Sequence, residues 1–149
     1  MTFDARQFFV RMARALNEGD VATLSVMVHP EVVSDFPQSG ERLRGIGAFL
    51  AQIEEYPGGP PENADLPPAT VLGDEERWAI TPAYTVVPLA GANKYTVITR
   101  AVYPDGSKWH VVCIVELRDE LLYRSENFFA PDFEPPEWRR EFAEIVARE

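Results

Sequence analysis

A chain of 149 residues fits one domain at the usual ~100–200 residues per domain, so a single compact core over residues 1–149 is expected. Hydrophobic residues at 46% and charged residues at 26% match an ordinary folded protein and exclude a disordered chain or a coiled coil. The net charge of −10 repels phosphate backbones and anionic lipid, so nucleic acid and membrane surfaces are excluded as partners in favour of a small molecule or another protein.

The lone Cys113 can form neither an internal disulfide nor a Cys-rich metal site, which fits a reducing, cytoplasmic setting. The opening stretch interrupts its apolar positions with Asp4, Arg6, Arg11 and Arg14, unlike a signal peptide. No run of ~18 apolar residues occurs, so no membrane span is expected.

Phe9, Met12, Ala13 and Leu16 fall at i, i+3, i+4 and i+7, which predicts an amphipathic helix over about residues 3–18, capped by Thr2 and closed by Gly19. Asp20 can cap a second, shorter helix carrying Val21, Leu24 and Val28, ended by His29-Pro30, with His29 as its C-terminal cap. EVVSDF follows as a short strand and PQSGERLRG as a turn-rich connection. Ile46, Phe49, Leu50 and Ile53 then mark a third helix that stops at Tyr56-Pro57, and residues 57–68, with five prolines, form an irregular loop.

From there the pattern turns to strands: ATVL, RWAIT, KYTVITRAVY, KWHVVCIVEL and LLYRSENFF are rich in β-branched and aromatic residues. They predict a sheet of antiparallel strands. Pro104-Asp105-Gly106 reads as a three-residue hairpin loop, which pairs Tyr103 with Ser107, Arg100 with His110 and Ile98 with Val112. With Asp119-Glu120 as a two-residue turn, Ile114 falls opposite Ser125 and Val112 opposite Asn127. One sheet face is then expected to hold Arg100, His110, Val112, Ser125 and Asn127, and the other Trp109, Val111, Cys113 and Val115. Trp138, Phe142 and Ile145 predict a short C-terminal helix at about 136–147 that clamps a surface groove.

The passage ALNEGDVATLSVMVHPEVV, then FPQSGERLRGIGAFL, then the hairpins around YPDGSKWHVV and ELRDELLYRSENFF, resembles the nuclear transport factor 2-like superfamily, in particular its SnoaL-like polyketide cyclase branch. The resemblance implies a cystatin-like α+β barrel: a cone-shaped, curved antiparallel sheet wrapped around three N-terminal helices, with an apolar pocket at its open end. It also implies a homodimer, packed sheet on sheet. Members of the superfamily include cyclases, isomerases and epoxide hydrolases beside non-catalytic binding domains, so fold alone does not choose between them.

The resemblance implies an acidic general acid/base on the last strand. The matching position here is Asn127, an amide that can orient a carbonyl but cannot exchange protons. The epoxide hydrolase pattern likewise lands on Thr96 and Ile98, which cannot replace its Arg and Asp. Asp35, beside Phe36-Pro37, sits next to the place where a ketosteroid isomerase carries its base and is kept as a catalytic candidate.

His110 is the other, as an imidazole suited to proton transfer, with Arg100 to hold a developing oxyanion. Arg100, Asn127, Ser125 and Trp78 are the expected ligand-binding residues; Tyr56 and Trp109, also aromatic, are read as core or interface. The two histidines have no metal-ligand spacing, and Gly45-Ile46-Gly47 lacks a third glycine, so neither metal nor nucleotide cofactor is expected. Two functions follow from these residues. One is a cofactor-independent isomerase or cyclase acting on a hydrophobic or polycyclic substrate through His110; the other is a non-catalytic ligand-binding or dimerisation domain.

Overall fold

The computed structural model describes residues 2–59, 86–88 and 93–146. The chain opens with helix α1 (Ala5–Glu18), whose cap is Asp4 rather than Thr2: its carboxylate accepts the Gln7 N–H at 3.1 Å. Gly19 ends it in the left-handed conformation (φ 64°), where its N–H reaches back to the last turn. Asp20 caps helix α2 (Val21–Ser25) through the Thr23 N–H at 3.0 Å, as expected.

The second helix ends earlier than His29-Pro30. Strand β1 (Val28–Phe36) already contains both residues, so His29 is no helix cap; its Nδ1 accepts the Glu31 N–H at 3.0 Å, and its ring packs edge-on against Tyr123. A strand missed from the sequence follows, β2 (Glu41–Arg44), paired antiparallel to β1 after a turn in which Gly40 takes φ 78°. Helix α3 (Gly45–Glu54) is where Ile46, Phe49, Leu50 and Ile53 predict it.

Among the described residues, strands β3 (Val86–Pro88), β4 (Lys94–Val102), β5 (Lys108–Arg118) and β6 (Leu121–Pro131) join β1 and β2 in a six-stranded sheet in the order β2-β1-β6-β5-β4-β3. Among these pairings β1–β6 is parallel and the others antiparallel. The segments ATVL and RWAIT lie outside the described residues. Phe9 and Met12 of α1, Leu24 of α2 and Phe49 of α3 join Val28, Val32, Val97, Val115, Leu117 and Leu122 of the sheet in one buried cluster, so all three helices cover the same sheet face.

The β4–β5 register is as derived from the turn: Tyr103 N–H donates to Ser107 O at 3.0 Å, Gly106 takes φ 82°, and Arg100 lies opposite His110. The β5–β6 register is not. The turn is the expected two-residue one, with Asp119 and Glu120 at φ 51° and 61°, but Tyr123 is an extra residue: Leu117 pairs with Leu122, whereas Glu116 pairs with Arg124. This β-bulge moves everything beyond it by one place, so Val115 faces Ser125, Cys113 faces Asn127 and Val111 faces Phe129. The Tyr123 ring is held on the surface by the Arg118 guanidinium, 3.6 Å from its centroid.

The two faces of β5 are therefore exchanged relative to the sequence expectation. Val111, Cys113 and Val115 line the inner, helix-covered side, while His110, Val112 and Ile114 belong to the outer face. The expected C-terminal helix is a 3₁₀ turn, Glu137–Phe142, with Trp138 and Phe142 72% and 80% exposed, so it clamps no groove. Pro135-Pro136 precedes it, and an isolated helix this short is marginal without packing.

Candidate functional site

Between α1, α3 and the inner sheet face lies a cavity of ≈ 250 Å³. Its walls are apolar: Met12 and Leu16 of α1, Phe49 and Ile53 of α3, and Val97, Ala101, Val111 and Val115 of the sheet. These positions alternate along their strands, which is why all of them reach the same side. Phe36 and Phe129 stack at 6.0 Å along one wall without filling the space. The backbone of Phe129 is fixed by Gln38, whose side-chain amide both donates to Phe129 O (3.1 Å) and accepts Phe129 N–H (2.6 Å).

Two polar clusters interrupt this lining. One is built on the β1–β6 pairing, which sets Ser34 beside Ser125, both buried, with their hydroxyls 2.9 Å apart. The Asn127 amide nitrogen donates into this pair, at 3.0 Å to Ser34 Oγ and 3.2 Å to Ser125 Oγ, and to Asp35 O at 3.0 Å. Its oxygen accepts the Cys113 thiol at 3.2 Å. Burial pushes the Cys113 thiol up to about 12, so it stays protonated and acts as a donor. The amide is thus the hub of a satisfied buried network.

The other cluster is Tyr56, just after α3, and Tyr103, at the end of β4, whose rings stack at 5.9 Å, with Trp109 edge-on to Tyr103. Burial, reinforced by the neighbouring Tyr56 hydroxyl, pushes Tyr103 up to about 12. Its O–H is a hydrogen-bond donor at any physiological pH.

Of the expected site residues, Ser125 and Asn127 border the cavity, but not on the face they were expected to share with His110. Arg100 touches the cavity, yet its guanidinium is committed elsewhere: Nη2 donates to Asp132 Oδ2 at 2.7 Å and Nη1 to His110 Nε2 at 2.7 Å. His110 Nδ1 lies 3.1 Å from Asp132 Oδ1, so both ring nitrogens are engaged in an Arg100–Asp132–His110 cluster, and neither His110 nor Asp132 borders the cavity. Arg100 and His110 do meet, as their register requires.

Asp35 also points away from the cavity, since strand alternation puts it opposite Ser34 and Phe36. It forms a bidentate ion pair with Arg42 (2.6 and 2.8 Å), and that guanidinium holds its carboxyl below the usual carboxylate range. Trp78 lies outside the described residues.

The residues the sequence reading misses are Tyr103 and Cys113, and Tyr56 borders the cavity instead of serving only as core or interface. Tyr103 was within reach of the hairpin argument, because it shares parity with Ala101 and Thr99. Cys113 and Asn127 could be joined only by knowing the bulge at Tyr123. Among the described residues bordering the cavity there is no carboxylate and no imidazole, and no three His, Cys, Asp or Glu side chains gather as metal ligands. Nor, among the described residues, is any helix long and apolar enough to cross a membrane.

The fold has close counterparts among solved structures. A proposed ketosteroid isomerase from Kribbella flavida is similar at a TM-score of 0.67 and 23% identity, over 97% of this chain and 90% of that one. A proposed polyketide cyclase from Pseudomonas putida gives 0.60 and 15%, over 95% and 100%. A protein with a cystatin-like fold from Xanthomonas campestris gives 0.59 and 18%, over 86% and 92%. At such identities these likenesses establish the fold and no more. No curated protein matches this chain significantly. The family model described as a SnoaL-like domain matches residues 9–125, and with its cystatin-like α+β architecture the chain belongs to the SnoaL-like family of the nuclear transport factor 2-like superfamily.

Proposed function

We propose that this SnoaL-like domain binds a small, largely apolar molecule in the cavity, with the Tyr103 hydroxyl donating a hydrogen bond to a carbonyl or hydroxyl oxygen of the ligand. The observation that carries this reading is the ≈ 250 Å³ apolar cavity with the half-buried, protonated Tyr103, beside the Tyr56 hydroxyl, on its wall. The volume is at the small end for ligand pockets and favours a mono- or bicyclic compound over a larger polycycle. The Ser34–Ser125–Asn127 group is already internally satisfied, so it shapes the wall more than it competes for ligand.

Catalysis by an isomerase or cyclase remains the second reading, favoured by Tyr103 as a donor able to polarise a carbonyl. It needs a base, and the positions of His110 and Asp35 on the outer face speak against either one. Thermal-shift screening with terpenoid ketones, aromatic polyketides and steroids tests binding directly, because a native-state ligand raises apparent stability. We expect Tyr103→Phe to weaken the best hit roughly tenfold, the loss of about one hydrogen bond. Val111→Trp, which fills the cavity, should abolish binding; retained affinity in that variant would refute the site.

We also propose that two copies associate through the outer sheet face. Support comes from Ile98, Val112, Ile114 and Phe128, which lie side by side across β4, β5 and β6 and belong to no part of the core cluster.

A further inference from the structure

Every polar atom of the Ser34–Ser125–Asn127 group has a partner, but partners and hydrogens are counted separately. The Asn127 side-chain atom that faces Asp35 O at 3.0 Å is its nitrogen, because a backbone carbonyl only accepts. The group then holds four hydrogens to donate, two on that nitrogen and one on each serine hydroxyl. One N–H goes to Asp35 O, and the other is shared by the two serine oxygens at 3.0 and 3.2 Å. The 2.9 Å contact between the hydroxyls uses a third hydrogen, since only one of the pair donates to the other. Asn127 Oδ1 is taken by the Cys113 thiol. One hydroxyl hydrogen is left over, and neither serine makes a further hydrogen bond among the described residues.

The place of that hydrogen makes it a feature of the cavity. Ser34 and Ser125 are 2% and 5% exposed and both border the cavity, so whichever hydroxyl accepts from the other keeps its own hydrogen on the wall. Left there it is a desolvated donor, a state that buried polar groups escape by finding an acceptor. The serines are also remote from Tyr103. Ser125 pairs with Val115 and Val115 with Tyr95, eight residues before Tyr103 in the chain, so the serine pair and the tyrosine address opposite ends of the lining.

We infer that the Ser34–Ser125 pair is a second donor site of the cavity, and that the ligand is an elongated molecule with an acceptor oxygen, a carbonyl or an ether, at each end. One oxygen meets the tyrosine and the other takes the spare serine hydrogen. The inference rests on the ligand-binding reading above and narrows its chemical class. The hydroxyl that donates to the ligand also accepts from its neighbour, which polarises it and strengthens the bond it gives. The pair is redundant as well. With either serine replaced by alanine, the remaining hydroxyl loses its serine acceptor and still has one hydrogen to give, so only the loss of both removes the donor.

Two bicyclic probes isolate the second oxygen: bicyclohexyl dione, with a carbonyl at the far end of each ring, and cyclohexylcyclohexanone, the same frame with one carbonyl. Calorimetric titration of the full-length protein should find the dione about tenfold tighter, the worth of about one hydrogen bond. Ser34→Ala and Ser125→Ala should each keep that preference. In Ser34→Ala/Ser125→Ala it should fall to the roughly twofold advantage of two equivalent ends, while the monoketone binds within about threefold of wild type, which shows the cavity intact. Infrared spectra give a second readout that needs no double variant: one carbonyl band of the bound dione should shift when either serine is replaced, because the polarising neighbour is lost. A dione preference that persists in the double variant, or that vanishes instead in Thr99→Val, whose hydroxyl also borders the cavity, refutes the serine donor and leaves the cavity reading standing. Equal affinities in the wild type, or carbonyl bands unmoved by either single substitution, do the same. Failure of both probes to bind overturns the cavity reading and this inference with it.

Discussion

Replacing Asn127 by leucine removes the hub of the buried polar network, and the cost can be worked from its contacts. The amide nitrogen has three acceptors, at 3.0, 3.0 and 3.2 Å, but only two hydrogens, so two full hydrogen bonds are lost at ~0.5–1.5 kcal/mol net each. Ser34 and Ser125 retain one another at 2.9 Å, which leaves the Asp35 carbonyl stranded without its donor and the Cys113 thiol, a weak donor, without its acceptor. We expect Asn127→Leu to destabilise the fold by about 2–3 kcal/mol, lowering the urea midpoint by about 1 M.

Asn127→Asp separates hydrogen bonding from shape. The substitution is isosteric, but it sets a carboxylate against the Asp35 carbonyl in a buried place, which raises the folded-state pKa of the new carboxyl above its unfolded value. The stability deficit is therefore largest at pH 8, above both values, and shrinks as pH falls and the group protonates in the folded state. Urea unfolding at pH 8 and pH 5 reads this out. A wild-type midpoint for Asn127→Leu, or a deficit for Asn127→Asp that does not change with pH, would refute the account of the network.

Arg100→Gln should cost about 3–5 kcal/mol, because the 10% exposed Asp132 carboxylate loses its bidentate partner. His110→Ala, at a 44% exposed ring, should stay within about 1 kcal/mol and leave ligand binding intact; both are measured by chemical denaturation. Cys113 lines the cavity with its thiol held protonated, so a thiol reagent at pH 8 should label it more slowly than in the unfolded protein, and bound ligand should slow that labelling further. Asp35→Asn should change stability by at most ~1 kcal/mol at pH 7, since its Arg42 partner is 51% exposed and the pair lies at the surface. The Asp35 carboxyl is lowered in the folded state, so what stability the pair gives is present above the ordinary carboxylate range and lost as pH falls through the folded value.

The order of elements was legible because it depends on local signals. Asp20, Gly19 and Gly106 act through their own backbone, and the spacing of Phe9 and Met12 or Ile46 and Phe49 reports a helix wherever it packs. The β4–β5 register followed from turn length alone. The site was less legible because it depends on β6, where a surface tyrosine stacked on Arg118 adds one residue to the strand, and no turn signal announces it. That single residue separates Asn127 from His110 and joins it to Cys113. Tyr56 and Tyr103 are brought together from opposite ends of the fold, a long-range pairing that no local pattern encodes.

The Gln38 clamp has a consequence for solubility. Strand β1 ends at Phe36 while β6 runs on to Pro131, so β6 outlasts its parallel neighbour and would expose a free backbone rung in the middle of the sheet. The Gln38 amide occupies that rung, offering one donor and one acceptor to Phe129 as a neighbouring strand would. An open rung of this kind is a template on which a foreign strand can add. In Gln38 the protein carries a one-residue plug against edge-to-edge aggregation, placed where the cavity wall and the sheet's inner notch coincide.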